Sequence, residues 1–433
     1  MVKAIVGANW GDEGKGKMTD LFAGGADVVV RFQGGSNAGH TIINQYGKNS
    51  LHLLPSGVFY KNVVNILANG VALNIPFFLN EVETVKKSIA AAGDEDAINI
   101  IVSDKAQVLL PYHILLDTLE EGRLKERKQG TTKSGIAPLF ADKHSRVGIQ
   151  LWQLFDDPDL LTKIKDNCDR VNTLLVNMYG AQPVEPQAIF DELMGVRDSI
   201  KHYMADTAKF LRNAVKEGKK ILLEGQLGTL RDVEHGIYPY STSSSTLAGY
   251  AAAGTGIAPY DIKEIIAVIK AYSSSVGEGP FVVEWFGEQG DELRKRGGDA
   301  GEYGASTGRP RRVGPFDLVA TRYGVETQGA TSLALTNLDV LGYLHEIPVC
   351  VAYDIEGAIE GTRTTDFPNT ALQYRAKPVF EYLPGWNSNI RGVQSEAHLP
   401  DNARRYVAYL EERLSVPIKY ISTGPKREET IMR

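Results

Sequence analysis

The chain has 433 residues, room for about three units or one large α/β body with insertions, and its 43% hydrophobic and 23% charged residues argue against long disorder. Lys+Arg 47 against Asp+Glu 53 leaves a formal charge of −6, which disfavours non-specific nucleic-acid binding, and no apolar run approaches the ~18–20 residues of a bilayer span. Two cysteines, Cys168 and Cys350, supply neither a disulfide framework nor a four-thiolate zinc site, and the N-terminus carries no signal-like apolar core, so a soluble cytoplasmic protein is expected.

The first predicted element is a strand over Val2–Val6, running straight into the glycine-rich segment Gly7–Lys17. A second strand, Asp27–Phe32, leads into another glycine loop, Gln33–Thr41. A helix is predicted over Pro76–Ala92, opened by proline and stopped before Gly93, then a strand over Ile98–Val102. Tyr112–Lys128 carries a helical stripe through Tyr112, Leu115, Leu116 and Leu119, with Gly122 expected to interrupt it. From about Gln150 to Ile200 the pattern is mainly helical and reads as an insertion. Met204–Lys219 is a further predicted helix, followed by strands over Ile221–Leu223 and Ile265–Ile269. Short continuous apolar runs fit strands covered on both faces. Strand, glycine loop and helix in succession predict an α/β fold with a mostly parallel central sheet and helices on both faces. With no convincing linker, residues 1–433 are expected to form one domain, and ligands should gather beyond the carboxyl ends of the strands.

Gly11–Lys17 matches the start of the phosphate-loop pattern G-x-x-x-x-G-K, but Met18 follows in place of Ser or Thr. Glycines let backbone N–H groups crowd round a polyanion, and Lys15 and Lys17 supply mobile cations. Asp12 is a hard carboxylate able to replace the missing hydroxyl as a Mg²⁺ ligand, although the segment could also be a tight turn with solvated charge. His40, at the end of the second loop, could give a proton to an oxygen that gains charge, making a base–acid pair with Asp12. Gly130–Gly135 and Tyr240–Thr246 are hydroxyl-rich strips that suit phosphate, or equally helix caps. Gly304–Arg312 holds three arginines among Gly and Pro, forks suited to carboxylate or phosphate. Asp339, after the apolar run ending Leu335-Thr336-Asn337, could accept N1–H and N2–H from guanine, with Ser422 to Pro425 as a wall of the same pocket or merely a turn.

Together, Trp10–Lys17, Gln33–Thr41, Gly130–Pro138, Glu224–Thr246, Ala271–Pro280, Glu302–Asp317, Leu335–Leu341 and Ile421–Arg427 resemble, in order, the adenylosuccinate synthetase family. The resemblance implies a GTP- and Mg²⁺-dependent ligase of purine nucleotide biosynthesis that joins L-aspartate to IMP through a 6-phosphoryl intermediate. It implies Asp12, His40 and Lys15 as catalytic residues, with Asp12 and the Gly39 carbonyl on the metal. GTP would contact Gly14, Lys15, Gly16, Lys17, Gly39, His40, Thr41, Asn337, Asp339, Ser422 and Gly424. The monophosphate would be held by Asn37, Thr132, Gln226, Leu227, Thr242, Val276 and Arg146, the last reaching in from the partner of a homodimer. Aspartate would meet Ser306, Thr307, Arg309 and Arg311. The chain departs from the family at Leu227, where glutamine is usual, and at Asn337, where lysine is. Ser134, Ala137, Ser275 and Pro315 stand for a basic residue, glycine, arginine and tryptophan. The departures leave two alternatives open: the same ligation on another 6-oxopurine monophosphate such as GMP or dGMP, or a catalytically silent nucleotide-binding protein.

Overall fold

The computed structural model describes residues 1–94, 98–298, 301–304, 308–357 and 362–433. Its frame is a ten-stranded sheet. The strands are β1 (Val2–Gly7), β2 (Val28–Arg31), β3 (Val64–Leu67), β4 (Asn99–Ser103), β5 (Met204–Ala205), β6 (Ile221–Glu224), β7 (Ile262–Lys270), β8 (Ser332–Thr336), β9 (Ile418–Ser422) and β10 (Thr430–Met432). They lie in the order β10-β9-β8-β7-β1-β6-β2-β3-β4-β5. Every neighbouring pair is parallel except β9 and β10. β2, β6 and β8 are buried at every position, as continuous apolar runs covered on both faces must be.

This topology gathers the glycine loops. The segments after β1, β2, β6, β7, β8 and β9 all leave the same edge of the sheet, its carboxyl end, where doubly covered parallel sheets take their ligands. The Lys15–Ala23 helix starts inside the first of these loops.

Three elements differ from the pattern reading. The Pro111–Leu124 helix runs through Gly122 unbroken; nothing packs within reach of that position, and the ~1 kcal/mol helix cost of a glycine is small beside the buried stripe. The segment predicted as one helix from Met204 splits: Met204 and Ala205 pair with Val102 and Ser103 at the sheet edge. Asp206 then caps a Thr207–Lys216 helix by accepting the Lys209 N–H at 2.9 Å. The helix near Pro76 spans Ile75–Ala91, capped by the Asn74 side chain on Phe77 N–H. Within 150–201 the long elements are helices, Leu160–Asn177 and Pro186–Lys201, sharing a core with Phe78, Val102 and Tyr112.

The first loop is pressed from outside by the Leu318–Gln328 helix. A Cβ on Gly324 would lie 1.8 Å from the Ala8 carbonyl oxygen. The Gln328 amide donates to Gly7 O at 3.1 Å, and Thr229 Oγ1 donates to the same carbonyl at 3.2 Å. Glycine at 324 therefore sets the path of the chain as it leaves β1. Gly324→Ala is expected to lower stability by about 1–3 kcal/mol through overpacking, whereas Gly249→Ala, on an exposed helical face with open space, should be neutral or stabilising by up to ~1 kcal/mol. Urea unfolding midpoints of the two variants check this; equal midpoints would remove the contact's importance.

Candidate active site

The turn after β1 is built round a carboxylate that points inward. Glu13 is 1% exposed. Its Oε1 accepts the backbone N–H groups of Asn9 (3.0 Å) and Gly11 (2.9 Å), and its Oε2 pairs with Lys15 Nζ at 2.6 Å. Gly11, Asp12 and Gly14 take left-handed conformations, φ 96°, 58° and 99°, which wrap the chain about that group. Glu13 is thus part of the turn's own frame. Asp12 alone turns outward, its Oδ2 3.1 Å from Arg311 Nε.

Lys17 behaves differently from the mobile cation that the sequence suggested. Its Nζ donates to Ser422 Oγ (2.6 Å) and to the carbonyls of Gly424 (2.6 Å) and Glu429 (3.1 Å). Three protons meet three acceptors, so Lys17 binds the first helix to the C-terminal loop. Burial outweighs the pull of Glu429, Asp339 and Glu428 and brings its ammonium down to about 8. Asp339 stands close enough to act on that charge, and burial pushes its own carboxyl up. Asn337, left-handed at φ 58°, donates from its amide to Tyr272 OH at 3.0 Å. Lys17, Asp339, Ser422 and Gly424 thus form a cluster of their own, beside the phosphate turn.

His40 pairs with Glu224 rather than with Asp12: Nδ1 lies 2.6 Å from Glu224 Oε1. Glu224 also accepts from Ser56 N–H at 2.8 Å and Ser56 Oγ at 2.5 Å, and stands in register with Arg31 of the neighbouring strand. Burial alone would raise the Glu224 carboxyl, but the His40 hydrogen bond and the Arg31 charge hold it low. An ionised Glu224 fixes the proton on Nδ1, and among the described residues Nε2 has no protein partner. Burial lowers the His40 imidazolium more than Glu224 raises it, which favours the neutral ring. Gln226 is buried between Arg31, which donates to its Oε1, and Asn37, whose Oδ1 accepts from its Nε2 at 2.9 Å. Leu227, left-handed at φ 59°, presents its side chain to the cavity beside Gly11.

A second buried carboxylate joins the remaining parts. Glu302 Oε1 pairs with Lys270 Nζ at 2.7 Å and accepts from Tyr272 OH at 2.5 Å, while Oε2 meets Arg311 NH1 at 2.7 Å. Burial works to raise this carboxyl, but Lys270 and Arg311 overcome it and hold it at about 2.

One cavity of about 340 Å³ opens among these groups. It brings together the predicted residues Asp12, Gly14, Lys15, Gly16, Asn37, Gly39, His40 and Thr41 with Thr132, Leu227, Thr242, Val276 and Arg311. Asp12 and His40 therefore share a space, each oriented by a different partner. Gln226 is not on the lining and acts through Asn37; Arg309 is exposed outside it. Arg146 is exposed at the left-handed C-terminus of the Ile136–Ser145 helix and does not reach the cavity of its own chain. Ser306 and Thr307 lie outside the described residues. The sequence reading missed Glu224 and Glu302 as partners, and Trp10, Asp117 and Arg231 as lining. Arg231 left a readable trace, a lone cation in an apolar, glycine-rich segment.

The family model for adenylosuccinate synthetase matches residues 4–431. The chain is 44% identical over 433 residues to the adenylosuccinate synthetase of Caldanaerobacter subterraneus subsp. tengcongensis, covering 100% of this chain and 99% of that one. It is 43% identical over 428 residues to that of Acidothermus cellulolyticus, covering 99% and 97%. The solved structure of the fully ligated adenylosuccinate synthetase from Plasmodium falciparum superposes with a TM-score of 0.90 at 33% identity, covering 100% and 99%. With the loops, the cavity and these relatives in agreement, the chain belongs to the adenylosuccinate synthetase family.

Proposed function

We propose that this chain uses GTP to join L-aspartate to C6 of IMP, giving adenylosuccinate for purine nucleotide biosynthesis. The observation that carries the reading is the single cavity into which Asp12, Lys15, His40, Arg311 and the hydroxyl strips converge, in a member of this family. Family membership favours IMP over other 6-oxopurine acceptors, and the presence of Asp12, Lys15 and His40 argues against a silent binding protein.

Asp12 takes the N1 proton of the base, so that O6 becomes nucleophilic and forms a bond to the γ-phosphorus as the bond to GDP breaks. Lys15 and the turn's amides hold the charge on the transferring group. His40, its Nδ1–H fixed on Glu224, presents Nε2 to the phosphate oxygens; their negative charge favours the imidazolium, so Nε2–H can donate. The aspartate amine then forms the C6–N bond and loses a proton while the C6–O bond breaks and phosphate leaves. Arg311, with Arg309, Ser306 and Thr307, would hold the aspartate carboxylates; transfer of Arg311 to substrate would free Asp12 from its ion pair. Asn37, Thr132, Thr242 and Val276 hold the monophosphate, with Leu227 packing apolar surface on it. Asp339, Asn337, Ser422 and Gly424 serve the guanine.

Asp12 and the Gly39 carbonyl would hold Mg²⁺. Among the described residues no three His, Cys, Asp or Glu side chains converge for a metal, a sparse donor set that suits an ion completed by phosphate oxygens and water. When bound, Mg²⁺ neutralises charge on the transferring phosphoryl group. Arg146, exposed on its own chain, reaches the monophosphate of a partner subunit in a homodimer. The 433 residues work as one unit in the cytoplasm, with a mainly helical insertion around 150–200. Among the described residues no helix is long and apolar enough to cross a membrane.

Asp12→Ala should lower aspartate-dependent phosphate release by at least ~10²-fold while melting stays near the wild-type temperature. Turnover retained by that variant would remove Asp12 from the chemistry. Because the Lys17 ammonium sits at about 8, its loss of a proton leaves two N–H groups for three acceptors. The KM for GTP is therefore expected to rise between about pH 7 and about pH 9, and to stay high and flat in Lys17→Met. A mixture of Arg146→Leu and Asp12→Ala chains, each nearly inactive, should recover up to about a quarter of wild-type activity through hybrid dimers that contain one intact site; no recovery would exclude a shared site.

A further inference from the structure

Arg231 ends the one-turn helix Thr229–Arg231, just beyond Leu227, and its side chain is buried on the cavity wall. Its NH1 donates to the carbonyls of Tyr240 (2.6 Å) and Glu278 (3.1 Å). Its NH2 donates to Ser275 Oγ (2.9 Å) and to the Val276 carbonyl. Its own carbonyl accepts the Thr242 N–H at 2.8 Å. One residue thus joins the Tyr240–Thr242 strip to the Ser275–Glu278 strip. The second strip in turn presses on the Gly130 turn, where a Cβ on Gly130 would lie 3.0 Å from Gly277 Cα. All three segments line the cavity.

The four acceptors are uncharged. Arg311 and Arg312, the neighbouring guanidiniums, each sit on a carboxylate, Glu302 and Glu284 at 2.7 and 2.5 Å. Among the described residues no carboxylate lies within ion-pair distance of Arg231. A buried cation with only neutral partners is costly, and an anion bound in the cavity would stabilise it. Burial and the charge of Arg312 outweigh the more distant pull of Asp12 and Glu278 and bring it down to about 10. Ser275 Oγ, 2.9 Å from NH2, is a side chain from the second strip set directly against this guanidinium.

We infer that Arg231 is the positioning residue of the acceptor site: it holds the Thr242 and Val276 strips at the spacing a nucleotide monophosphate needs, and keeps a positive charge on that wall of the cavity. The inference rests on the reading of those strips as the monophosphate site. Arg231→Met should raise the KM for IMP about tenfold or more, with kcat and the KM for GTP within about threefold of wild type. The double variant Arg231→Met with Ser275→Arg should bring the KM for IMP back to within about threefold, a rescue that a merely space-filling side chain would not permit. Arg231→Lys keeps the charge without the fork, and an intermediate rise is expected; it serves as the test if the Met variant does not fold. Calorimetric titration with IMP alone judges the residue apart from turnover. Wild-type binding without aspartate-dependent turnover would sink the ligase reading and leave the comparison at Arg231 valid. Equal affinities of wild type and Arg231→Met for IMP, kcat and both KM values changing together, or no rescue in the double variant would each overturn the inference.

Discussion

The site depends on a buried carboxylate that lies off the cavity lining. Glu13 takes two N–H groups of its own turn and the ammonium of Lys15, and this closes the chain into a cup with Asp12 on the rim. The arrangement demands bare backbone on both sides: a Cβ at Gly7 would lie 2.4 Å from Glu13 Oε2, and one at Gly228 2.5 Å from Oε1. Gly7 ends β1, and Gly228 lies in the loop that follows the neighbouring β6, so the pairing of those two strands and the turn's internal ion pair require each other. Phosphate binding by backbone amides usually needs only glycines and a helix start. Here an internal anion also orients the cation and absorbs part of its charge.

Three buried acids then divide the labour. Glu13 shapes the turn, Glu224 sets the tautomer of His40, and Glu302 holds Arg311 between itself and Asp12. Each is stabilised by hydrogen bonds and a cation, as burial of an ionised group requires. The Glu302 cluster also extends by way of Tyr272 to Asn337, at the edge of the region read as the guanine pocket. The region read as the guanine pocket and Asp12 are thereby linked through five side chains in direct contact: Asn337, Tyr272, Glu302, Arg311 and Asp12.

The parallel sheet and its glycine loops were legible because they are local: a continuous apolar run, then Gly, in each of β1 and β2. The helix stripe of Tyr112 and Leu115 was legible for the same reason, and the effect of Gly122 was overstated because a propensity cost was set against packing that the pattern does not display. Partnerships were not legible. His40 and Glu224 are 184 positions apart, and Glu302 meets Lys270 across 32, so no spacing rule connects them. For Lys17 the motif indicated a cation near phosphate, while the nearest acceptors turned out to belong to a loop 405 positions later. Family resemblance named candidate residues; their orientation and partners come from the structure alone.

Leu227 carries a further consequence. A branched side chain in the left-handed region costs on the order of 1 kcal/mol of conformational energy. That tension is stored in the wall of the cavity and is held by contact with Gly11, at the base of the cup. Glycine at 227 would relax the backbone and enlarge the chamber together, so in this lineage rigidity of the pocket and ease of folding pull in opposite directions at one residue.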